Sequence, residues 1–509
     1  MPGKIFLTFL LLFQIVSFVS AQQTQTPSPT PTPAPRPAPS PEEPPTVTKH
    51  SVRVGDRQLN YTVTTGFMPL KNREATETEA RMFFMAYTLD NVSDPKTRPL
   101  MFSFNGGPGS ASVWLHLGAL GPKRVRMLDN GLMPPPPYDL VDNEGTWLTE
   151  TDLVFIDPVG TGFSRATKPE FNTKFHSLTG DVESVGDFIR LYLSRHERWN
   201  SPLFLVGESY GTTRAAGLSN HLFERGIALN GIALVSSVTN FQTIRFNEGN
   251  DVPFPLIFPS YAATAWYHKK LPASLQNRPL REVLQQAESF AANELTIALS
   301  KGDRMTAQEK QAVIDRYAAL TGLDKTFIEN SNLRVELGSF NKELLRSQRR
   351  TTGRLDSRFT GIDRSAAGTN PDFDPSMTAI RPPYTAAFND YVRRDLGFKS
   401  DLEYYILGGG VGPWNWNANG YYAETSSALK SAMAKNPYMK IFIGSGYYDM
   451  ATPYFATEYT LAAMNLDPTL RRNVSVSYYE SGHMMYIERN SLRKLKEDVT
   501  VFMQSAIKR

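Results

Sequence analysis

The 509-residue sequence contains no cysteine. This absence excludes disulfide bonds, thiolate metal ligands and cysteine nucleophiles together. Histidine is also scarce, with seven residues and no His-x-x-x-His pair, so the sequence shows no recognisable zinc site and predicts no cofactor or metal. Stability must therefore come from a hydrophobic core, which a chain of this length can bury.

Excess charge of one sign is also lacking. The formal net charge is only +4, and lysine and arginine alternate with acidic residues instead of forming a basic run. A nucleic-acid partner is therefore not expected. Nothing in the pattern indicates an oligomeric state.

One apolar run near the start of the chain is suited to export. It extends from Ile5 to Val19, follows Lys4 and is closed by small residues up to Ala21. This arrangement predicts a signal peptide at residues 1–21 and a secreted or periplasmic protein. The alternative is an uncleaved membrane anchor, but the run is shorter than the ~20 residues of a spanning helix, and Gln14 interrupts it.

Residues 22–46 are rich in Pro, Thr, Ser and Ala. Because they lack large apolar side chains, they cannot offset the entropy of ordering, and they predict a stiff, disordered linker. A ligand for a proline-recognising partner is the alternative.

From residue 47 the chain alternates apolar runs of strand length with amphipathic helical stretches. This rhythm predicts an α/β fold with a mostly parallel sheet and helices on both faces, formed by residues 47–240 and 400–509. A stripe through Val182, Val185, Ile189 and Leu193 predicts a crossover helix. The predicted strands are residues 99–104, 152–156, 202–206, 231–235, 439–443 and 474–478.

Residues 241–399 interrupt this rhythm and predict a helical insertion, or lid. Thr306 and Glu309 form a capping box that opens a helix, and Gly322 is placed to close it. Residues 350–385 carry many Gly, Pro, Arg and Asp without a period, so they predict long loops.

Ser209 is the predicted nucleophile. It lies in Gly207-Glu208-Ser209-Tyr210-Gly211, after an apolar strand and before a helical stretch, which fits a Gly-x-Ser-x-Gly nucleophile elbow. A serine hydroxyl needs a histidine as base and an acid to fix the imidazole tautomer, in the chain order Ser, acid, His.

His483 and Asp449 are the predicted base and acid. Of the histidines after Ser209, His221 falls in the helix of the elbow and His268 in the insertion, whereas His483 follows the last strand. Asp449 follows the penultimate strand, while Asp157 precedes the serine and is interpreted as a turn-forming or capping residue.

Two backbone donors are expected for the oxyanion hole. The amide of Tyr210 directly follows the nucleophile, and the second donor should come from the glycine-rich loop Asn105-Gly106-Gly107-Pro108-Gly109 after an early strand. A tight turn without function is the alternative for this loop.

Together these motifs, with Pro158-Val159-Gly160-Thr161-Gly162-Phe163-Ser164 and Ser481-Gly482-His483-Met484, resemble the serine carboxypeptidase family over residues 50 to 505. The resemblance implies an α/β-hydrolase fold and metal-free release of C-terminal residues from peptide or protein C-termini through an acyl-enzyme. It implies that Gly107 N–H joins Tyr210 N–H in the oxyanion hole. It further implies that Asn105, Gly106 and Glu208 bind the terminal carboxylate.

Glu208 then requires a proton, because two carboxylates share a hydrogen bond only when one is protonated, so acidic pH should favour activity. Ser103, Ala119 and Ser110 stand where the family usually has tryptophan, glutamate and cysteine. The first two changes remove side chains from the hydrogen-bond network that supports Asn105 and Glu208. The alternatives are an esterase or acyltransferase with the same triad, and a catalytically dead binding protein.

Overall fold

The computed structural model describes residues 43–507. The predicted signal peptide and residues 22–42 of the predicted linker lie outside this range. Thr46, at the end of that linker, already belongs to the first strand. Between residues 43 and 507, no helix combines the length and the apolar character needed to cross a membrane.

Short strands and helices alternate along the described chain. The strands are β1 Thr46–Val54, β2 Arg57–Lys71, β3 Thr78–Leu89, β4 Leu100–Phe104, β5 Lys123–Val125, β6 Leu140–Asp142, β7 Asp152–Ile156, β8 Arg165–Ala166, β9 Leu203–Ser209, β10 Gly231–Ser237, β11 Thr351–Thr352, β12 Thr360–Gly361, β13 Lys440–Gly446 and β14 Val474–Tyr479. The α-helices are α1 Val113–Leu115, α2 Asn172–Phe175, α3 Leu178–Arg195, α4 Tyr210–Phe223, α5 Pro253–Tyr267, α6 Ala273–Gln276, α7 Leu280–Phe290, α8 Thr296–Lys301, α9 Ala307–Thr321, α10 Lys325–Asn330, α11 Leu337–Glu343, α12 Pro375–Arg394, α13 Ser426–Lys435, α14 Tyr454–Ala463, α15 Pro468–Arg471 and α16 Arg489–Ile507.

One large mixed sheet organises the molecule, in the order β1-β2-β3-β7-β4-β9-β10-β13-β14, with β8 beside β3. The six strands from β7 to β14 in this order are parallel to one another. They are the six strands predicted from the sequence, so the prediction of an α/β fold with a mostly parallel sheet is confirmed. The antiparallel strands β1 to β3 extend one edge and were not predicted.

Helices cover both faces of the sheet. The predicted crossover helix is α3, which joins the parallel strands β7 and β9 and buries its predicted stripe of Val182, Val185, Ile189 and Leu193. It lies on one face with α4 and α13, whereas α12 and α16 contribute to the apolar cluster on the other face. Burying each aliphatic side chain of this kind contributes ~1.5–3 kcal/mol, so the two clusters stabilise the sheet from both sides.

Residues 241–399 lie between the neighbouring strands β10 and β13 and contain helices α5 to α12. Helices α5, α7 and α9 pack around their own apolar cluster. The predicted capping box at the start of α9 is confirmed, because Thr306 Oγ1 accepts the Glu309 N–H and the Glu309 side chain accepts the Thr306 N–H. Gly322 ends this helix in the left-handed conformation with φ 67°, as expected.

The prediction of long loops over residues 350–385 is wrong at its C-terminal end. Helix α12 begins at Pro375, with the Asp374 side chain accepting the Ser376 N–H as its cap. Pro382 and Pro383 lie inside this helix and obscured its period in the sequence. Its buried Tyr384 and Phe388 belong to the cluster on the sheet, which compensates the helix for its missing N–H donors.

Candidate active site

Four parallel strands bring the predicted site residues to one edge of the sheet. Ser209 is the last residue of β9, Asn105 follows β4, Asp449 follows β13 by three residues and His483 follows β14 by four. Since the carboxyl ends of parallel strands share an edge, residues far apart in sequence meet there.

Ser209 lies in a sharp turn between β9 and α4, with φ 59° and ψ −130°. A left-handed φ is costly for a serine and persists only where the surroundings impose it. A side chain on Gly207 would come within 2.2 Å of Gly211 O, and one on Gly211 within 2.9 Å of Phe104 O. The glycines are therefore required by close packing, and the turn presents the serine at the N-terminus of α4.

His483 and Asp449 form a buried hydrogen-bonded pair, with 2.7 Å between His483 Nδ1 and Asp449 Oδ2. Asp449 Oδ1 accepts the N–H groups of Ala451 and Thr452, and Thr452 Oγ1 donates to Asp449 Oδ2. An ionised carboxylate only accepts hydrogen bonds, so it holds the proton of His483 on Nδ1. The Nε2 atom of the neutral imidazole is then left as an acceptor.

The pKa of His483 is raised above 6.5. Burial lowers it, but the Asp449 carboxylate beside Nδ1 raises it, and Glu208 raises it further. A base that gains basicity from a neighbouring carboxylate suits proton abstraction from an alcohol.

Ser209 and His483 line the same cavity, which has a volume of about 160 Å³. In the described part of the chain no hydrogen bond joins the two side chains. Hydrogen bonds between a nucleophile and its base are often long before substrate binds. Because they line one cavity, Ser209 and His483 can both contact the same substrate molecule.

The loop after β4 packs directly against the nucleophile turn. A side chain on Gly106 would lie 2.5 Å from Tyr210 N, so the two backbones touch. Gly107, with φ 101°, lines the cavity beside Ser209. The structure thus brings together the two amides, of Gly107 and Tyr210, predicted to face an oxyanion.

Arg214 is a buried support for this loop that sequence reasoning missed. Its Nη1 donates to Asn105 O at 2.7 Å, and its Nε donates to Asp181 Oδ2 at 2.8 Å. Asp181 also accepts the Tyr210 hydroxyl at 2.9 Å. A buried charge needs a partner of this kind, so the pair holds the loop and the start of α4 together.

Glu208 lines the cavity as a buried carboxyl group. Asn105 Nδ2 donates to Glu208 Oε1 at 3.0 Å, and the Leu115 N–H donates to Asn105 Oδ1, which fixes the orientation of the amide. Burial raises the pKa of Glu208 to about 7, although His483 and the hydrogen bonds from Tyr486 and Asn105 act in the opposite direction. Glu208 is therefore substantially protonated near neutral pH.

Tyr486 donates its hydroxyl to Glu208 Oε2. This tyrosine was not identified from the sequence as part of the site. Its ring packs against Gly118, where a side chain would come within 2.4 Å of Tyr486 Cε2. Ala119 has no side-chain donor to offer, and the buried Ser103 hydroxyl makes no hydrogen bond within residues 43–507. The hydrogen bond from Tyr486 to Glu208 thus replaces one of the contacts that Ser103 and Ala119 do not provide.

The segment from Leu355 to Arg358 supports the loop that carries His483. The His483 N–H donates to Leu355 O at 2.6 Å, and the Gly482 N–H donates to Asp356 Oδ2 at 3.1 Å. Arg358 donates to Glu480 O and to Ser481 Oγ. Part of the insertion therefore fixes the position of the imidazole.

Asp157, the rival acid, lies outside this cavity. Its Oδ1 accepts the Ser112 N–H and hydroxyl, both at 2.8 Å. Burial raises its pKa to about 6, which the Ser112 hydrogen bonds partly offset. It links two loops, in keeping with the structural role expected of it.

The chain is similar to a known protein family over most of its length. A family model described as serine carboxypeptidase matches residues 55–496. The chain is 30% identical over 155 residues to serine carboxypeptidase-like 5 of Arabidopsis thaliana, covering 30% of this chain and 33% of that protein. It is 27% identical over 207 residues to serine carboxypeptidase-like 1 of the same plant, covering 39% and 44%. The matches therefore span less than half the length of these relatives.

Among solved structures, a prohormone-processing carboxypeptidase from Saccharomyces cerevisiae is similar with a TM-score of 0.51. It is 16% identical, and the similarity covers 87% of this chain and 91% of that chain. This likeness shows the fold.

Proposed function

Because the chain belongs to the serine carboxypeptidase family, we propose that it releases C-terminal amino acids from peptides through an acyl-enzyme on Ser209. The observation that carries the proposal is the cavity in which Ser209 and His483 face Glu208 and Asn105. It combines an acyl-transfer centre with a group that can bind a carboxylate.

The chemistry proceeds in two acyl transfers. Ser209 Oγ attacks the last peptide carbonyl while His483 Nε2 takes the serine proton, and Asp449 stabilises the imidazolium. The N–H groups of Gly107 and Tyr210 donate to the oxygen that becomes negative. His483 then returns the proton to the nitrogen as the C–N bond breaks, which frees the terminal amino acid. Water, deprotonated by His483, hydrolyses the ester and restores Ser209.

Recognition of the chain end falls to Asn105, the Gly106 N–H and protonated Glu208. A terminal carboxylate can accept from all three, whereas an internal peptide group lacks the second oxygen. Glu208 and His483 lie close enough to shift each other's pKa, so one proton can reside on either group. A bound substrate carboxylate favours the state with the proton on Glu208 and a neutral His483, which is the reactive state.

A blocked dipeptide with a free C-terminal carboxylate should be cleaved faster than its C-terminal amide. Losing hydrogen bonds to a charged group lowers kcat/KM by about a hundredfold. Mass spectrometry measures the rate at which the terminal amino acid is released from the acid substrate and the rate at which the amino-acid amide is released from the amide substrate. Equal rates for acid and amide would instead support the esterase or acyltransferase alternative.

The pH profile should have an alkaline limb set by Glu208. Protonated Glu208 binds the carboxylate, so kcat/KM should fall as pH rises through its pKa of about 7. The acid limb should follow His483, which must lose its proton to act and whose pKa is raised. In Glu208→Gln the amide donates without titrating, so the alkaline limb should disappear. The acid limb should stay close to that of the parent, because Glu208 is already protonated and uncharged at the pH values of that limb.

Tyr486→Phe is the matched variant with a distinct outcome. The hydroxyl stabilises ionised Glu208 and lowers its pKa, so its removal should move the alkaline limb to higher pH. Measurement of kcat/KM from pH 4 to 9 for the three proteins tests both expectations. An unchanged alkaline limb in Glu208→Gln would show that another group sets it.

A further inference from the structure

A second cavity of about 390 Å³ adjoins the first at the nucleophile. Gly107, Ser209, Arg354 and Ala451 line both cavities, so a substrate bound at Ser209 reaches both. The walls of the second cavity come mainly from residues 238–257 and 450–453. Glu208 and Asn105 line only the first cavity.

Two arginines supply the charge of the second cavity. Arg245 and Arg354 both line it, and within the described chain no Asp, Glu or Lys does. Apolar side chains, including Ile257 and Met450, form much of the remaining wall. The cavity therefore presents excess positive charge over an apolar floor.

Neither guanidinium has an acidic partner: within residues 43–507, the Arg245 and Arg354 side chains make no ion pair and no hydrogen bond. Burial lowers the pKa of Arg245, and the like charge of Arg354 lowers it further. By contrast, the buried Arg214 has Asp181 beside it. Both arginines are exposed to solvent, so water screens their mutual repulsion, but a bound anion would still be favoured over a bound cation.

The guanidinium of Arg245 lies against two aromatic rings, and its N–H groups make no hydrogen bond within the described chain. Its guanidinium carbon lies 5.3 Å from the ring centroid of Phe241 and 5.4 Å from that of Trp416. Stacking on aromatic rings uses the flat face of a guanidinium and leaves the N–H groups in its plane to donate to a carboxylate.

The position of the cavity identifies the substrate residue that enters it. On the proposed function, the terminal carboxylate binds beside Glu208, so the departing residue occupies the first cavity. The residue whose carbonyl Ser209 attacks lies on the other side of the nucleophile, and its side chain points into the second cavity. That residue is the penultimate one of the peptide.

We propose that the second cavity selects peptides whose penultimate residue is Asp or Glu, through Arg245 and Arg354. The methylene groups of the acidic side chain pack on the apolar wall, and its carboxylate accepts from the guanidinium groups. This inference rests on the proposed carboxypeptidase function.

The test compares three blocked dipeptides with penultimate Glu, Gln or Lys and the same C-terminal leucine. At one pH and low ionic strength, kcat/KM should be about tenfold higher for Glu than for Gln, and lowest for Lys. Added salt should reduce the advantage of Glu, because it screens charges that remain accessible to water.

Arg245→Gln should bring the Glu-to-Gln ratio close to one, and Arg245→Glu should make Lys the preferred penultimate residue. Arg245 is the better first target, because the charge of Arg354 also acts on His483. Arg472→Gln removes an equal charge next to the amino end of β14, opposite the site, and should leave the ratio unchanged.

The outcomes separate the two proposals. Parent enzyme that cleaves the Gln and Glu peptides equally well overturns the acidic preference and leaves the carboxypeptidase function standing. A ratio that survives in Arg245→Gln removes this arginine from the proposal and overturns it. If the parent enzyme releases leucine from none of the three peptides, the proposed function fails, and the inference fails with it.

Discussion

Replacement of Ser209 by alanine is expected to lower kcat for a blocked dipeptide by about a millionfold. The change removes the atom that would form the acyl-enzyme and keeps the Cβ that the turn already accommodates. In the described chain the Ser209 hydroxyl makes no hydrogen bond, so its loss should cost the fold little. Single-turnover kinetics and labelling by a fluorophosphonate probe measure the effect.

The control for this variant is its thermal unfolding, which should match that of the parent protein. Labelling that persists in Ser209→Ala would mean that another residue reacts with the probe. A parent protein that resists the probe would favour the binding-protein alternative, because an unactivated serine does not react.

Replacement of Asp449 by asparagine is expected to lower kcat by about ten thousandfold. Asp449 Oδ1 accepts two backbone N–H groups, so the asparagine carbonyl must take that place and its NH₂ group must face His483. Two donors cannot share a hydrogen bond, and His483 would move its proton to Nε2. An imidazole protonated at Nε2 cannot take the proton of Ser209.

Asp157→Asn is the matched control, because Asp157 is also a buried aspartate just after a strand. Its Oδ1 accepts from Ser112, and an asparagine carbonyl can do the same. We expect kcat to change by only a fewfold. The assignment of the acid fails if Asp157→Asn loses activity and Asp449→Asn keeps it. Steady-state kinetics on both purified variants decide the question.

Local sequence was sufficient for the part of the fold that carries the site. Five of the six parallel strands are dense runs of buried residues that end in a turn, and the partly exposed edge strand β14 is still rich in Val and Tyr, so their positions could be read from composition. The elbow at Ser209 was predictable because only glycine fits at positions 207 and 211. Once the strand ends were known, the placement of Asp449 and His483 followed from the shared edge.

Elements that depend on tertiary packing were not predictable in this way. Helix α12 contains two prolines and is stabilised by its contact with the sheet, which no local pattern shows. The contacts of Tyr486 with Glu208 and of Arg245 with Trp416 join residues 278 and 171 positions apart. Spacing along the chain holds no signal for such pairs. The period-two pattern of Leu59, Tyr61 and Val63 could have revealed β2.

The four residues from Leu355 to Arg358 limit how the protein could be re-engineered. They belong to the insertion of residues 241–399, which also lines the second cavity, and they hold the loop of His483 in position. The insertion therefore cannot be deleted without affecting the site. A chimaera that takes the helices of the insertion from a relative would have to retain residues 355–358. Without these four residues, Ser209, Asp449 and His483 would all remain, but the loop that carries the His483 imidazole would no longer be held in position.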